Sequence, residues 1–326
     1  MRRAALFFST ATIVATLLTA ALPAAAQTFP SRLVTLVVPF TAGSGSDTIA
    51  RFVAPVLSAK WGHPVVVDNR PGASGNIGTQ YVARAAPDGH TLLMAINTHT
   101  ITPAIYKSLP FDPVRDFAPV VKLAEANFTL ALSPSAPMRD MPSLIAYAKA
   151  NPGKLNYASP GNGTPQHMAM ELFKSTYGVD IVHVPYKGIS GALTDVMGGQ
   201  VQLMFASVPS VRTHAEAGRV KLVAVTGASR NALIPDVPTF REQGFGAMDV
   251  VDAWYAVLAP ARTSPELVAR LNRDFSEAMN SESVKTELAR QGLVVSTGTP
   301  SQLGTLIQND IARWQKVVSA AGITAE

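Results

Sequence analysis

Short apolar runs of β type and longer stripes at helical spacing alternate along most of this chain. Residues 33–38, 65–68, 91–96 and 118–123 read as strands. Between the first two, Ile49, Phe52, Val53, Val56, Leu57 and Trp61 recur at helical spacing behind Ser46-Asp47. Pro55 falls inside that stripe and is expected to bend the helix or remove one hydrogen bond. Asn69-Arg70-Pro71-Gly72-Ala73-Ser74-Gly75 reads as a tight loop before a second helix that ends at Pro87-Asp88-Gly89. The rhythm repeats further on: helices over 142–150, 165–176, 190–197 and 209–217 alternate with strands over 155–158, 181–185, 201–206 and 220–226. Such alternation predicts mostly parallel sheets covered on both faces, an α/β class with ligands beyond the carboxyl ends of strands.

Two further strand-like runs, 128–133 and 250–258, stand apart from both series. If each is a crossover, the chain enters a second domain at the first and returns at the second. The expected division is then a discontinuous first domain, 27–127 plus 250–326, and a second domain, 128–249. A simple tandem of two domains is the alternative. Helices starting at Ser264-Pro265 and Ser281, and a last one from Pro300 to about Ala320, would pack back on the first domain.

Two glycine-rich loops lie between an apolar strand and the start of a helix. The first is Pro39-Phe40-Thr41-Ala42-Gly43-Ser44-Gly45-Ser46-Asp47 and the second Tyr157-Ala158-Ser159-Pro160-Gly161-Asn162-Gly163-Thr164-Pro165. Glycine lets backbone N–H groups converge, and a helix N-terminus leaves its first amides unpaired with partial positive charge. Each loop is therefore a candidate anion cradle built without basic side chains. Two in one chain suggest two domains gripping one anionic molecule.

Charge and composition narrow the class. Arg2-Arg3, the apolar stretch Ala4 to Leu22 and Pro23-Ala24-Ala25-Ala26 read as a secretory signal over 1–26, with cleavage after Ala26. A retained anchor is the second reading. The expected location is the periplasm. There is no cysteine, which excludes disulfides, thiolate metal sites and cysteine nucleophiles. About 300 residues can bury a core without such staples. Without Arg2 and Arg3 the 27 basic residues become 25 against 22 acidic ones, a net charge of +3. No basic run of five or six exists, so nucleic acid is not an expected partner.

Enzymatic signatures are missing. Gly43-Ser44-Gly45 lacks the third glycine of a dinucleotide fingerprint, because Thr48 stands there, and no Gly-Lys-Ser/Thr follows. No G-x-S-x-G elbow and no S-x-x-K pair occurs. The six histidines are dispersed without an H-E-x-x-H, so neither a metal nor a cofactor is expected. Asp112 and Asp116 beside Pro113 and Arg115 read as a solvated turn. A dyad assembled from distant residues stays open at this point.

Leu36-Val37-Val38 followed by the first loop resembles the opening of the solute-binding proteins of tripartite tricarboxylate transporters, the Bug or TctC family. Val66 to Gly78, Ala86 to Leu92, Val184-Pro185-Tyr186-Lys187-Gly188 and Trp254 to Pro260 are similar to further family motifs. So is the second loop with Met168, Glu171, Leu172 and Phe173. The match runs from about Phe29 to the C-terminus. One departure is Ser44, where the family often shows glycine. The resemblance implies a type II periplasmic binding fold, two doubly wound α/β domains joined by two crossing strands. It also implies a small carboxylate held in the cleft by amides and waters from both loops, delivered to separate permease subunits in the membrane. Carried over by position, it points to Phe40, Thr41, Ala42, Gly43, Ser44 and Asp47, and to Ser159, Gly161, Asn162, Gly163 and Thr164.

Other residues are weaker candidates. Asp47 at a helix start complements the dipole, whereas a carboxylate there would repel an anionic ligand. Thr164 and Pro165 suit a helix cap whatever the function. His167 can hydrogen-bond a ligand or simply pack. Asn97 and Thr98 follow a strand end, with a plain polar loop as the bland reading, and Ser207 is similar. Asp252 is odd in an apolar strand and is a candidate for holding an amino group or orienting water, while Trp254 reads as core. The expectation is a non-enzymatic, monomeric periplasmic binder of a di- or tricarboxylate, acidic amino acid or aromatic acid. A periplasmic sensor for a signalling receptor and an exported hydrolase or lyase are the alternatives.

Overall fold

The structure, a computed structural model, describes residues 29–186 and 188–323, so the signal segment expected over 1–26 lies outside the described residues. Strand β1 (Val34–Val38) leads into helix α1 (Gly45–Trp61), β2 (Val65–Asn69), α2 (Asn76–Ala83), β3 (Thr91–Ile96) and α3 (Thr98–Ile105). A long β4 (Phe117–Leu132) carries the chain away to α4 (Met141–Ala150), β5 (Leu155–Ser159), α5 (Pro165–Tyr177), β6 (Ile181–Pro185), α6 (Ile189–Met197), β7 (Leu203–Ser207), α7 (Val208–Glu216) and β8 (Lys221–Val225). Strand β9 (Asp252–Pro260) brings it back to α8 (Pro265–Asn280), α9 (Glu282–Arg290), the short β10 (Val294–Val295) and α10 (Pro300–Ala321).

The helix boundaries follow from local chemistry. Ser44, Thr164, Ser264 and Thr299 each cap a helix by accepting a first-turn amide, and the last three are followed directly by proline. Gly62 and Gly178 end α1 and α5 in the left-handed region, where a side chain would be strained. Helix α1 continues through Pro55 as one element, because one missing hydrogen bond is offset by the burial of Ile49, Val53 and Leu57 around it.

Among the described residues ten strands form one curled sheet in the order β2-β1-β3-β9-β4-β7-β5-β6, with β8 and β10 also paired to β4. The segments expected as separate strands over 118–123 and 128–133 are one 16-residue strand. Ala124-Glu125-Ala126-Asn127 lacks β-forming residues, yet it is held extended by pairing with β9, where Glu125 faces Trp254 and Asn127 faces Asp252. Strands β4 and β9 lie side by side in the middle of the sheet. Beyond them β1, β2 and β3 pair in parallel on one side, and β5 pairs in parallel with β6 and β7 on the other.

Each side has its own apolar core. One gathers Leu36, Ile49, Leu57, Leu92 and Phe275, and the other Leu130, Tyr157, Phe173 and Phe205. A third cluster joins the two lobes, with Met168 of α5 packed among Ile101 and Ile105 of α3 and Trp314 and Val317 of α10. Helix α3 itself replaces the polar loop expected after Ile96. Its apolar residues Ile101 and Ile105 are too few to register as a stripe, but tertiary burial holds them.

Candidate ligand-binding site

The carboxyl ends of the parallel strands meet at the crossing of β4 and β9. Ile96 at the end of β3 pairs with Tyr255, Ser207 at the end of β7 pairs with Phe128, and Asn127 pairs with Asp252. Loops leaving those ends therefore face one another from opposite lobes, the arrangement expected of a binding crevice in open α/β sheets.

The first glycine loop is tightly organised. Ser44 Oγ accepts the Asp47 amide at 3.3 Å, and the Ser44 amide donates to Thr41 O at 3.2 Å. Asp47 is buried and its carboxylate accepts three donors: the Gly43 amide at 2.9 Å, Arg51 Nε at 2.9 Å and Asn69 Nδ2 at 3.0 Å. The Arg51 bond holds this carboxyl down to about 2, so it is ionised and neutralised within the protein. Asn69 Nδ2 also donates to Phe40 O at 3.1 Å, and the Phe40 ring packs over Gly75. Thr41 and Ala42 are exposed at the turn. Gly43 uses φ +83, which glycine alone adopts without strain. Gly43 gives its amide to Asp47, whereas the amides of Thr41, Ala42, Gly45 and Ser46 have no protein acceptor among the described residues.

Gly45 borders a cavity of about 360 Å³ between the lobes. Gly43, Gly45 and Thr48 line it from the first lobe, Ser207, Pro209 and Ser210 from the second, and Tyr255 and Ala126 from the crossing strands, with Gln291 and Leu293 closing one side. No side chain caps α7, because Ser207 Oγ donates to Ser210 Oγ at 3.1 Å and Ser210 Oγ donates to Ser207 O at 2.7 Å. Two helix N-termini thus border one cavity from opposite lobes, and among the described residues none of its lining is charged. Burial pushes the Tyr255 phenol up to about 12, so it stays protonated and can only donate or accept neutral hydrogen bonds near neutral pH.

The second glycine loop is stitched to a stack of rings. The Gly161 amide donates to Ser159 Oγ at 3.1 Å, Thr164 Oγ1 donates to Gly161 O at 2.8 Å, and the Gly163 amide donates to His167 Nδ1 at 3.0 Å. Ser159 Oγ lies 2.6 Å from His183 Nε2, and the His167 and His183 rings stack with centroids 4.1 Å apart above Tyr157. Accepting at Nδ1 places the neutral His167 proton on Nε2. Burial holds both histidines down to about 4. Asn162 is exposed at the tip, and a Cβ built on Gly163 would come within 2.8 Å of Ile105 Cδ1, so this loop abuts α3 of the other lobe. It does not line the cavity, whose second-lobe wall is Ser207–Ser210.

Strand alternation separates the remaining candidates. On β9, Ala253 and Tyr255 face the α1 core, whereas Trp254 faces the opposite layer, where its indole donates to Asp310 Oδ2 at 2.8 Å. Asp252 shares the Trp254 face, away from the cavity. Its carboxyl is raised to about 7 by burial, with Lys122 opposing and Glu125 and Asp310 adding to the rise. Asn97 is spent on this strand: Nδ2 donates to Asp252 O at 2.7 Å and Oδ1 accepts the Trp254 amide at 3.0 Å. Thr98, half-buried, opens α3 behind it. The reading of Asp252 as a partner for a ligand amino group therefore has no geometric support at this cavity.

Thr48, Ser210, Tyr255 and Gln291 were not legible as candidates. Thr48 and Ser210 are each three residues past an N-terminal glycine or serine already singled out, and Tyr255 is the strand neighbour of Trp254, so a residue-by-residue face assignment finds them. Gln291 carries no such signal. The Asp112–Asp116 pair is a turn, with the Asp112 amide donating to Asp116 Oδ2 at 2.7 Å. Among the described residues no group of three metal-ligating side chains converges.

The sequence matches the tripartite tricarboxylate transporter family receptor over residues 49–323. It is 38% identical to a UPF0065 protein in the tcbD-tcbE intergenic region of Pseudomonas sp. (strain P51), over 89% of this chain and 86% of that one. It is 34% identical to protein BugT of Bordetella pertussis, over 97% and 95%. Among solved structures, an R. palustris protein with adipate is 36% identical, covers 91% of this chain and 99% of its own, and superposes with a TM-score of 0.77. MatC from Rhodopseudomonas palustris, with bound malate, is 34% identical, covers 89% and 100%, and has a TM-score of 0.74. The periplasmic binding protein BugD is 30% identical over 91% and 100%, with a TM-score of 0.74.

Proposed function

Because the chain belongs to the tripartite tricarboxylate transporter receptor family, we propose that it is a periplasmic solute-binding protein that captures a small organic carboxylate between its lobes. The carboxylate sits in the cavity at the start of α1, and closure of the second lobe brings the start of α7 against it. The observation that carries this reading is the approach of Gly45, the first residue of α1, and Ser207 and Ser210, in the first turn of α7, from opposite lobes of one cavity without a charged lining residue among the described ones. The second glycine loop, seated against α3, sets how far the lobes close. The division at Asn127 and Asp252, into a discontinuous first domain and an inserted second one, makes those residues the hinge. The adipate and malate held by relatives support the ligand class.

The energies suffice without an arginine clamp. Hydrogen bonds to a charged group contribute about 1.5–3 kcal/mol each, and a partly buried helix N-terminus up to about 2 kcal/mol. Four or five such contacts leave about −8 kcal/mol after ordering costs, a micromolar constant. Delivery goes to separate permease subunits, and the protein works as a monomer without turnover. Among the described residues no helix is long and apolar enough to cross a membrane.

A thermal-shift screen of the mature protein against carboxylates, followed by calorimetry, tests the reading. A ligand at 100 times its dissociation constant adds about 2.7 kcal/mol of stability. Recovery of the acid unchanged at one-to-one stoichiometry is the expected result. Consumption of the acid by substoichiometric protein would make the chain an enzyme instead, and no shift with any carboxylate would remove the ligand class.

A further inference from the structure

We infer that Tyr255 is the selectivity residue of this cavity, donating its phenolic proton to the carboxylate lodged at the start of α1, and that the site takes carboxylates without an amino group. The inference rests on the proposed carboxylate site and names its ligand chemistry more narrowly.

Three observations carry it. The first is proximity: a Cβ built on Gly45 would fall inside contact distance of the Tyr255 hydroxyl and 2.9 Å from Cζ. The phenol therefore packs against the first residue of α1, beside the proposed seat of the carboxylate. The second is availability: Tyr255 is half-buried and lines the cavity, and among the described residues its hydroxyl meets no hydrogen-bond partner. The hydroxyl is open to the cavity, so an oxygen of the ligand can take its proton in place of water. The third is the chemistry of the walls. Thr48, Ser207, Ser210, Tyr255 and Gln291 are neutral, and strand alternation turns Asp252 to the other face of β9. An ammonium group carried in with a carboxylate would lose water without gaining an anionic partner, whereas a hydroxyl or oxo group in its place needs only a neutral donor.

Gly45 is part of the same device. Any side chain there displaces the phenol, so the close approach of ring to helix start requires glycine.

Calorimetry on the mature protein with matched acids tests the inference: malate against aspartate, and 2-oxoglutarate against glutamate. The expected result is binding of at least one oxygen-bearing acid with its amino counterpart about 100-fold weaker or undetected. Tyr255→Phe is expected to weaken the bound acid roughly tenfold or more with an unchanged melting temperature in the absence of ligand. Gly45→Ala is expected to weaken it similarly, and its circular dichroism shows whether the loop still folds. Equal affinity in Tyr255→Phe, or aspartate or glutamate binding as tightly as its partner, overturns the inference while the carboxylate site stands. If neither matched pair nor any other carboxylate binds the wild-type protein, the proposed function fails and the selectivity reading with it.

Discussion

The Asp47 carboxylate accepts the Gly43 amide at 2.9 Å and so closes the first glycine loop on itself. The same carboxylate takes Arg51 Nε and Asn69 Nδ2, tying the loop to the body of α1 and to the end of β2. A residue that looks like an anion's competitor is thereby the loop's internal counter-charge. Asp47→Ala is expected to cost about 2–3 kcal/mol of stability, measured by denaturant unfolding, because three donors lose one buried acceptor. Its effect on carboxylate affinity is expected to be larger than that of Arg51→Ala, whose guanidinium is half-exposed and can be replaced by water. The usual carboxyl value of 3.8 falls to about 2 in the folded protein. A folded value below the unfolded one gives stability that is present above about pH 4 and lost as pH falls through about 2.

The histidine stack acts over a higher range. His167, His183 and His99 are each held from 6.5 down to about 4, chiefly by burial. Between those values the unfolded chain binds protons that the folded chain does not, so stability falls as pH drops from about 6.5 to 4. Melting temperature is expected to decline over that window. In His183→Gln the decline should be shallower, since Ser159 loses a titrating partner, while His99 and its Pro113 carbonyl bond are untouched. An identical slope in that variant would exclude the stack from the transition.

At the strand crossing, Asn97 bridges Asp252 O and the Trp254 amide. Asn97→Ala leaves both main-chain groups without that partner and is expected to destabilise by about 2–4 kcal/mol. Asn97→Asp keeps the acceptor for Trp254 but loses the donor, and is expected to fall between wild type and alanine. Unfolding midpoints of the three proteins give the order.

Much of this architecture is legible before any coordinates. The β/α rhythm, the capping residues Ser44, Thr164, Ser264 and Thr299, and both glycine turns are written in local spacing and fold as local spacing says. Helix α3 is not, because only Ile101 and Ile105 give it an apolar side and its stability comes from α10. The unity of β4 is hidden for a similar reason: Glu125 and Asn127 are extended by their partners on β9 and not by their own preference. The first loop could be read as a site from glycine content. That its opposite wall is Ser207–Ser210 depends on the pairing of β7 with β4, a long-range contact that no local motif encodes.

Gly163 separates two uses of glycine. Its φ of +72 strains any side chain, and Ile105 Cδ1 occupies the space a Cβ would take. Gly163→Val is expected to push the second loop from α3 and weaken carboxylate binding by about tenfold or more, with the melting temperature falling by a few degrees. Calorimetry with an unchanged dissociation constant would show that the second loop has no part in closure.

The most direct measurement is a crystal structure of the mature protein with the tightest-binding carboxylate of the screen. The account places one carboxylate oxygen about 2.9 Å from the Gly45 or Ser46 amide, with Ser210 approaching from the other lobe. An acid lodged outside that cavity, with the start of α1 bonded to water alone, would contradict it.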